Sequence, residues 1–141
     1  MPTAPFTLDP RLEADTLFVA DGPLSQLRLM DDARFPWLVL VPRVPDAVEW
    51  IDLEGGAQRL LLAEINQAGR LLQAHFAPIE KLNIGALGNI VRQLHIHIVG
   101  RRESDAAWPG PVWGVGTRSR YGGDAPSLVL RLAEALAQGA P

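Results

Sequence analysis

The sequence predicts an α+β domain: an antiparallel sheet of about five strands with one long helix and a C-terminal helix. Three observations predict it. Short β-prone runs, broken by Gly, Pro and Asp, fill the first part of the chain. A segment near the middle carries apolar residues at helical spacing. Most connections are short, and short connections favour antiparallel neighbours.

Size and charge narrow the function. The 141 residues, 48% of them hydrophobic, make one domain (1–141) able to bury a core without staples. With no cysteine, a disulfide framework and a cysteine-based metal site are excluded. The net charge is -3 and no basic tract appears, which argues against non-specific binding to a nucleic-acid backbone. The apolar run Trp37 to Val41 is far too short to span a bilayer, and the N-terminus lacks a signal-peptide pattern. The expectation is a soluble, cytoplasmic protein without membrane or nucleic-acid partners.

Residues 1–13 hold three prolines and read as an irregular arm. Leu17–Ala20 is a short strand, Asp21-Gly22-Pro23 a turn, and Leu24–Met30 a second strand whose alternation gives it one buried face. After the turn Asp31–Arg34, the continuous run Trp37–Val41 reads as a central strand, ended by Pro42 and Pro45. Leu61, Ile65, Ala68, Leu72 and Phe76 form one stripe, so a helix is expected at about 56–76, with Pro78 just beyond its end. Strands are then expected at Lys81 to about Ala86 and at about Ile90 to Gly100. Gly85 and Gly88 between them mark a tight turn. Residues 101–124, with two of the four tryptophans, form a long loop, and such loops are often functional. Pro126 suits a helix's first turn, and Leu128, Leu132 and Leu136 give a final helix at about 125–138.

The chemistry concentrates in RQLHIHIVGRR, Arg92–Arg102. On a strand, Gln93, His95 and His97 share one face, while Leu94, Ile96 and Ile98 point at the core. The histidines are therefore expected off the core, about 6.6 Å apart at about 3.3 Å per residue. A neutral imidazole is nucleophilic at one nitrogen when the other N–H is held by an acceptor. Arg101 and Arg102 offer cations for a phosphate, although charged residues after a strand usually face solvent. Three alternatives compete. The pair could be structural. It could supply half of a zinc site, with Glu103 or Asp105 adding a ligand. It could serve a serine hydrolase, but Ser104 and Ser127 lack a Gly-x-Ser-x-Gly setting. His75 reads as a helix-terminal histidine facing the dipole. Leu27 and Leu29 read as core rather than as a base pocket.

These residues resemble the histidine triad (HIT) family, whose hallmark is His-φ-His-φ-His-φ-φ with φ apolar. Gln93-Leu94-His95-Ile96-His97-Ile98-Val99 fits except at its first position. Asn83, Gly85, Gly88, Asn89 and Val91 resemble the family's Asn/Gly-rich approach to the motif. Trp37–Pro42 with Arg43 resembles its earlier strand, and Trp108-Pro109-Gly110 its Trp-Pro segment. The resemblance covers roughly 12–115, leaving 116–141 as loop and C-terminal helix. It implies a homodimer, a small-molecule nucleotide as partner, and substrates with an α-phosphate, such as dinucleoside polyphosphates or phosphoramidates. It implies that His95 attacks phosphorus to form a nucleotidyl-histidine and that His97 contacts phosphate or the leaving side, with no metal or other cofactor. Asn83, Asn89, Gln93 and Trp108 become the expected substrate-binding residues. Gln93 replaces the first histidine, Trp37 stands where another often precedes the apolar run, and Asn89 replaces a longer Gln. A glutamine's backbone carbonyl would still support the nucleophile.

Overall fold

The computed structural model of the chain describes residues 5–139. In chain order the elements are α1 (Pro10–Asp15), β1 (Thr16–Asp21), β2 (Ser25–Met30), β3 (Trp37–Pro42), α2 (Gly55–His75), β4 (Lys81–Gly85), β5 (Ile96–Arg101) and α3 (Ala125–Ala137). The five strands form one sheet in the order β1-β2-β3-β5-β4, with every neighbouring pair antiparallel. The predicted fold class holds, including the long helix and the C-terminal helix.

Register divides the sheet into two faces. Leu38 pairs with Ile98 and Leu40 with Ile96, and these side chains join Leu27 and Leu29 beneath α2 and α3. The stripe Leu61, Ile65, Ala68 and Leu72 supplies the helix side of this main core. On the opposite face Val39 pairs with His97 and Trp37 with Val99. A smaller cluster of Leu12, Phe35, Trp37, Val39, Val41, Val99 and Val112 covers that face. Both faces of β3 and β5 are thus covered, and every residue of the two strands is buried.

Three expectations change. The arm contains a helix: Asp9 caps α1 by accepting the Arg11 N–H at 2.8 Å, and Pro10 sits in its first turn. Residues 1–4 of that arm lie outside the described residues. The second strand of the motif begins at Ile96, not Ile90, because residues 86–95 form an irregular loop that turns at Gly88 (φ 61°). His95 therefore stands just before β5. Finally, the histidines are not off the core: His95 and His97 are each only 5% exposed, because α1 and the long loop cover their face.

Candidate functional site

The uncovered part of that second face is a cleft of about 630 Å³. Its floor holds His95, His97 and Trp37, and its walls are Leu12 of α1, the loop around Gly88–Val91 and Val112–Gly116 of the long loop. Arg11, Asp15, Asp32, Arg34 and Arg118 rim it. Most of these charges are paired: Arg34 to Asp32 at 2.8 Å and Arg118 to Asp15 at 3.1 Å. Asp31 accepts from Arg120 at 2.9 Å and from the Tyr121 N–H at 3.0 Å, so the long loop is tied down along its length.

The two imidazoles are held in opposite proton arrangements. His95 Nδ1 lies 2.7 Å from the Gln93 carbonyl oxygen. A carbonyl only accepts, so Nδ1 carries the proton and Nε2 keeps its lone pair. At His97 the relation reverses. The Trp37 indole Nε1–H donates to His97 Nδ1 at 3.0 Å. An indole N–H only donates, so the proton of the neutral ring sits on Nε2. Burial pushes the His97 pKa down to about 3, with the neighbouring His95 adding to the effect. Burial also lowers the pKa of His95, partly opposed by the bond to Gln93. The ring centroids stand 4.9 Å apart, at 73° between planes. A nucleophilic nitrogen and an uncharged N–H donor thus occupy one cleft. Trp113 stands edge-on to His97 at 5.2 Å and completes the aromatic wall.

Of the expected site residues, the cleft gathers His95, His97 and Asn89. Asn89 also borders a second hollow of about 140 Å³ with Glu49, Arg92 and Gln93. The Gln93 carboxamide bonds to backbone instead of facing the large cleft. Asn83 and Trp108 lie outside the lining of that cleft. Asn83 Oδ1 accepts from Arg101 at 2.8 Å, and the Arg101 guanidinium sits 5.7 Å over the Trp108 ring. Arg101 is the reverse of a solvated charge: it is 1% exposed, with Asp105 at 2.8 Å and the Gly110 carbonyl at 2.8 Å. It fastens the long loop to the sheet. Arg102 donates to the Pro78 carbonyl at 2.6 Å, behind α2.

The sequence reading missed Trp37 as the partner of His97 and α1 as a wall. A tryptophan within an aliphatic central strand was the available signal, since a buried indole N–H needs an acceptor. His75 ends α2 as expected. Among the described residues, no group of three His, Asp or Glu side chains is arranged to hold a metal ion, and no helix is long and apolar enough to cross a membrane.

Comparison with known proteins identifies the family. The HIT domain family matches residues 11–104. A histidine triad protein from Bradyrhizobium japonicum is 46% identical, with a TM-score of 0.86, over 96% of this chain and 98% of that one. A histidine triad (HIT) protein from Sinorhizobium meliloti is 45% identical, with a TM-score of 0.86, over 92% and 96%. One from Marinobacter aquaeolei is 34% identical, with a TM-score of 0.86, over 98% and 100%. No curated protein matches. The cleft, its paired histidines and this similarity together place the chain in the histidine triad (HIT) domain family, whose members are in general nucleotide-binding hydrolases and transferases.

Proposed function

We propose that this chain hydrolyses or transfers a nucleotidyl group by in-line attack of His95 Nε2 on an α-phosphate. The observation that carries the reading is the opposed pair of tautomers, one imidazole held as nucleophile and its neighbour as neutral donor. The Nε2–P bond forms as the bond from phosphorus to the leaving group breaks: a polyphosphate oxygen departs as its own anion, and an amine nitrogen departs with a proton taken from solvent. The resulting nucleotidyl-imidazolium keeps its Nδ1–H on the Gln93 carbonyl. Water then attacks phosphorus, gives its proton to solvent, and His95 leaves as a neutral imidazole. His97 Nε2–H donates to a phosphate oxygen throughout, which is the work of an oxyanion donor. Asn89, exposed at the cleft, reaches the same oxygens. The substrate class is a dinucleoside polyphosphate or a nucleoside phosphoramidate, with its nucleoside in the apolar cleft.

Incubation with either substrate is expected to yield nucleoside monophosphate. His95→Ala should abolish turnover, and His97→Ala should slow it about 10²–10³-fold. Equal turnover by His95→Ala would overturn the assignment. A second reading is a nucleotide-binding module with little or no turnover. It is favoured by Gln93, which stands in place of the family's first histidine and whose side chain is bonded to backbone elsewhere. Calorimetric AMP binding with no product from any substrate would select it. The reading extends to a homodimer formed along β4, the outer strand on which Ile84 is 51% exposed. It also extends to a reducing, cytoplasmic setting, in keeping with a chain that has no cysteine.

A further inference from the structure

Gln93 does two separate things. Its backbone carbonyl receives the His95 Nδ1–H. Its carboxamide turns to the N-terminal arm, where Oε1 accepts the Asp9 N–H at 2.9 Å and Nε2 donates to the Thr7 carbonyl at 2.8 Å. An N–H and a carbonyl two residues apart on an extended segment face the same way, and a carboxamide meets both with its adjacent donor and acceptor. A neutral imidazole also has one donor and one acceptor, but they diverge from the ring, so it could not clasp the two together.

What the clasp holds is a wall of the cleft. Phe6 and Leu8, on either side of Thr7, pack against the smaller core cluster. Asp9 caps α1, and α1 delivers Leu12 and Arg11 to the cleft. Arg11 is oriented by Asp9, with Nη2 to Oδ2 at 3.0 Å, and its Nη1 donates to the Ile90 carbonyl at 3.1 Å. The arm therefore meets the loop before the nucleophile at two places, Gln93 and Ile90.

We propose that Gln93 is a positioning residue: its carboxamide clasps Thr7–Asp9 so that the arm and α1 form a fixed wall of the nucleotide cleft, and nucleotide affinity depends on that clasp. This rests on the nucleotide reading above. Gln93 acts through the arm and does not touch the ligand.

The test compares three full-length variants: Gln93→Leu, the arm variant Phe6→Ala/Leu8→Ala, and their combination. Hydrogen exchange at the Asp9 amide reads the clasp, and calorimetry with AMP reads the cleft. Gln93→Leu should speed Asp9 exchange at least about tenfold while amides of β3 and α2 stay protected. Both Gln93→Leu and the arm variant should weaken AMP binding about tenfold, and the combination should be no weaker than either by more than about twofold, because one wall is lost only once. A combination that multiplies the two losses would overturn the proposal, as would an arm variant with freed Asp9 exchange and unchanged affinity. So would an Asp9 amide that stays protected in Gln93→Leu. Should Gln93→Leu fail to fold, the arm variant alone decides by the same two readouts. If the unaltered chain does not bind AMP, the nucleotide reading falls and with it the clasp's role in affinity. Asp9 exchange then still decides whether the clasp exists.

Discussion

At His97 the proton sits on Nε2 because Trp37 already occupies Nδ1, so the donor that would meet a phosphate is set by a residue no ligand needs to touch. Trp37→Phe removes that constraint and leaves a buried nitrogen without a partner. It should cost about 1–3 kcal/mol of stability in urea unfolding. It should also slow turnover more than it weakens AMP binding, since the ring can then present the wrong tautomer. Acidity tests the same residue. His97 titrates near 3 when folded and near 6.5 as an ordinary histidine, so between those values the unfolded chain binds more protons. Its contribution to stability is therefore whole above about pH 6.5 and is lost as pH falls toward 3. The buried His95, lowered as well, acts in the same direction. Asp105, held down to about 2 by Arg101, loses its contribution only below the usual carboxylate value of 3.8. The urea midpoint is therefore expected to fall between pH 7 and pH 4.5, and His97→Asn should flatten that slope; an unchanged slope would count against a neutral, buried His97.

Among elements, the long loop depends most on a single charge. Arg101 joins Asp105, Asn83 and the Gly110 carbonyl, and Arg101→Met would strip the Asp105 carboxylate of its cation, leaving it only the Arg102 and Ala107 N–H groups. A loss of about 2–3 kcal/mol is expected by urea denaturation, below the figure for a buried charge left with no partner because the two N–H groups remain. The sequence could not announce this. A charged residue after a strand looks like surface, and the partners of Arg101 lie four residues ahead and eighteen behind. Periodic elements were legible: the stripe Leu61, Ile65, Ala68 and Leu72 is buried beneath the sheet, and Leu94, Ile96 and Ile98 point into the core. The start of β5 was not, because alternation in Val91–His95 persists where the backbone has left the ladder to meet the arm. Helix α1 was missed because the three prolines of the arm read as breakers, although Asp9-Pro10 is equally a cap followed by a first-turn proline. For the candidate site, the face shared by His95 and His97 was legible. Its lid of α1 and Val112–Gly116 arises from contacts across most of the chain, which no local pattern encodes.

For the whole molecule, the sheet ends on one side in β4, whose outer edge pairs with no other strand among the described residues and which carries the exposed Ile84. An open apolar edge is a template for a second strand. If two copies join there, sedimentation velocity should show a dimer, and Ile84→Lys should shift it to monomer while leaving the far-ultraviolet dichroism unchanged. The packing of Trp37 and Trp113 against His97, with centroids 5.7 and 5.2 Å away, has an optical consequence. Two of the four indoles sit against a ring that quenches emission once it becomes a cation. That pair thus gauges the imidazole by its own fluorescence, dimmed only as acid charges the ring and altered whenever something slides between the rings.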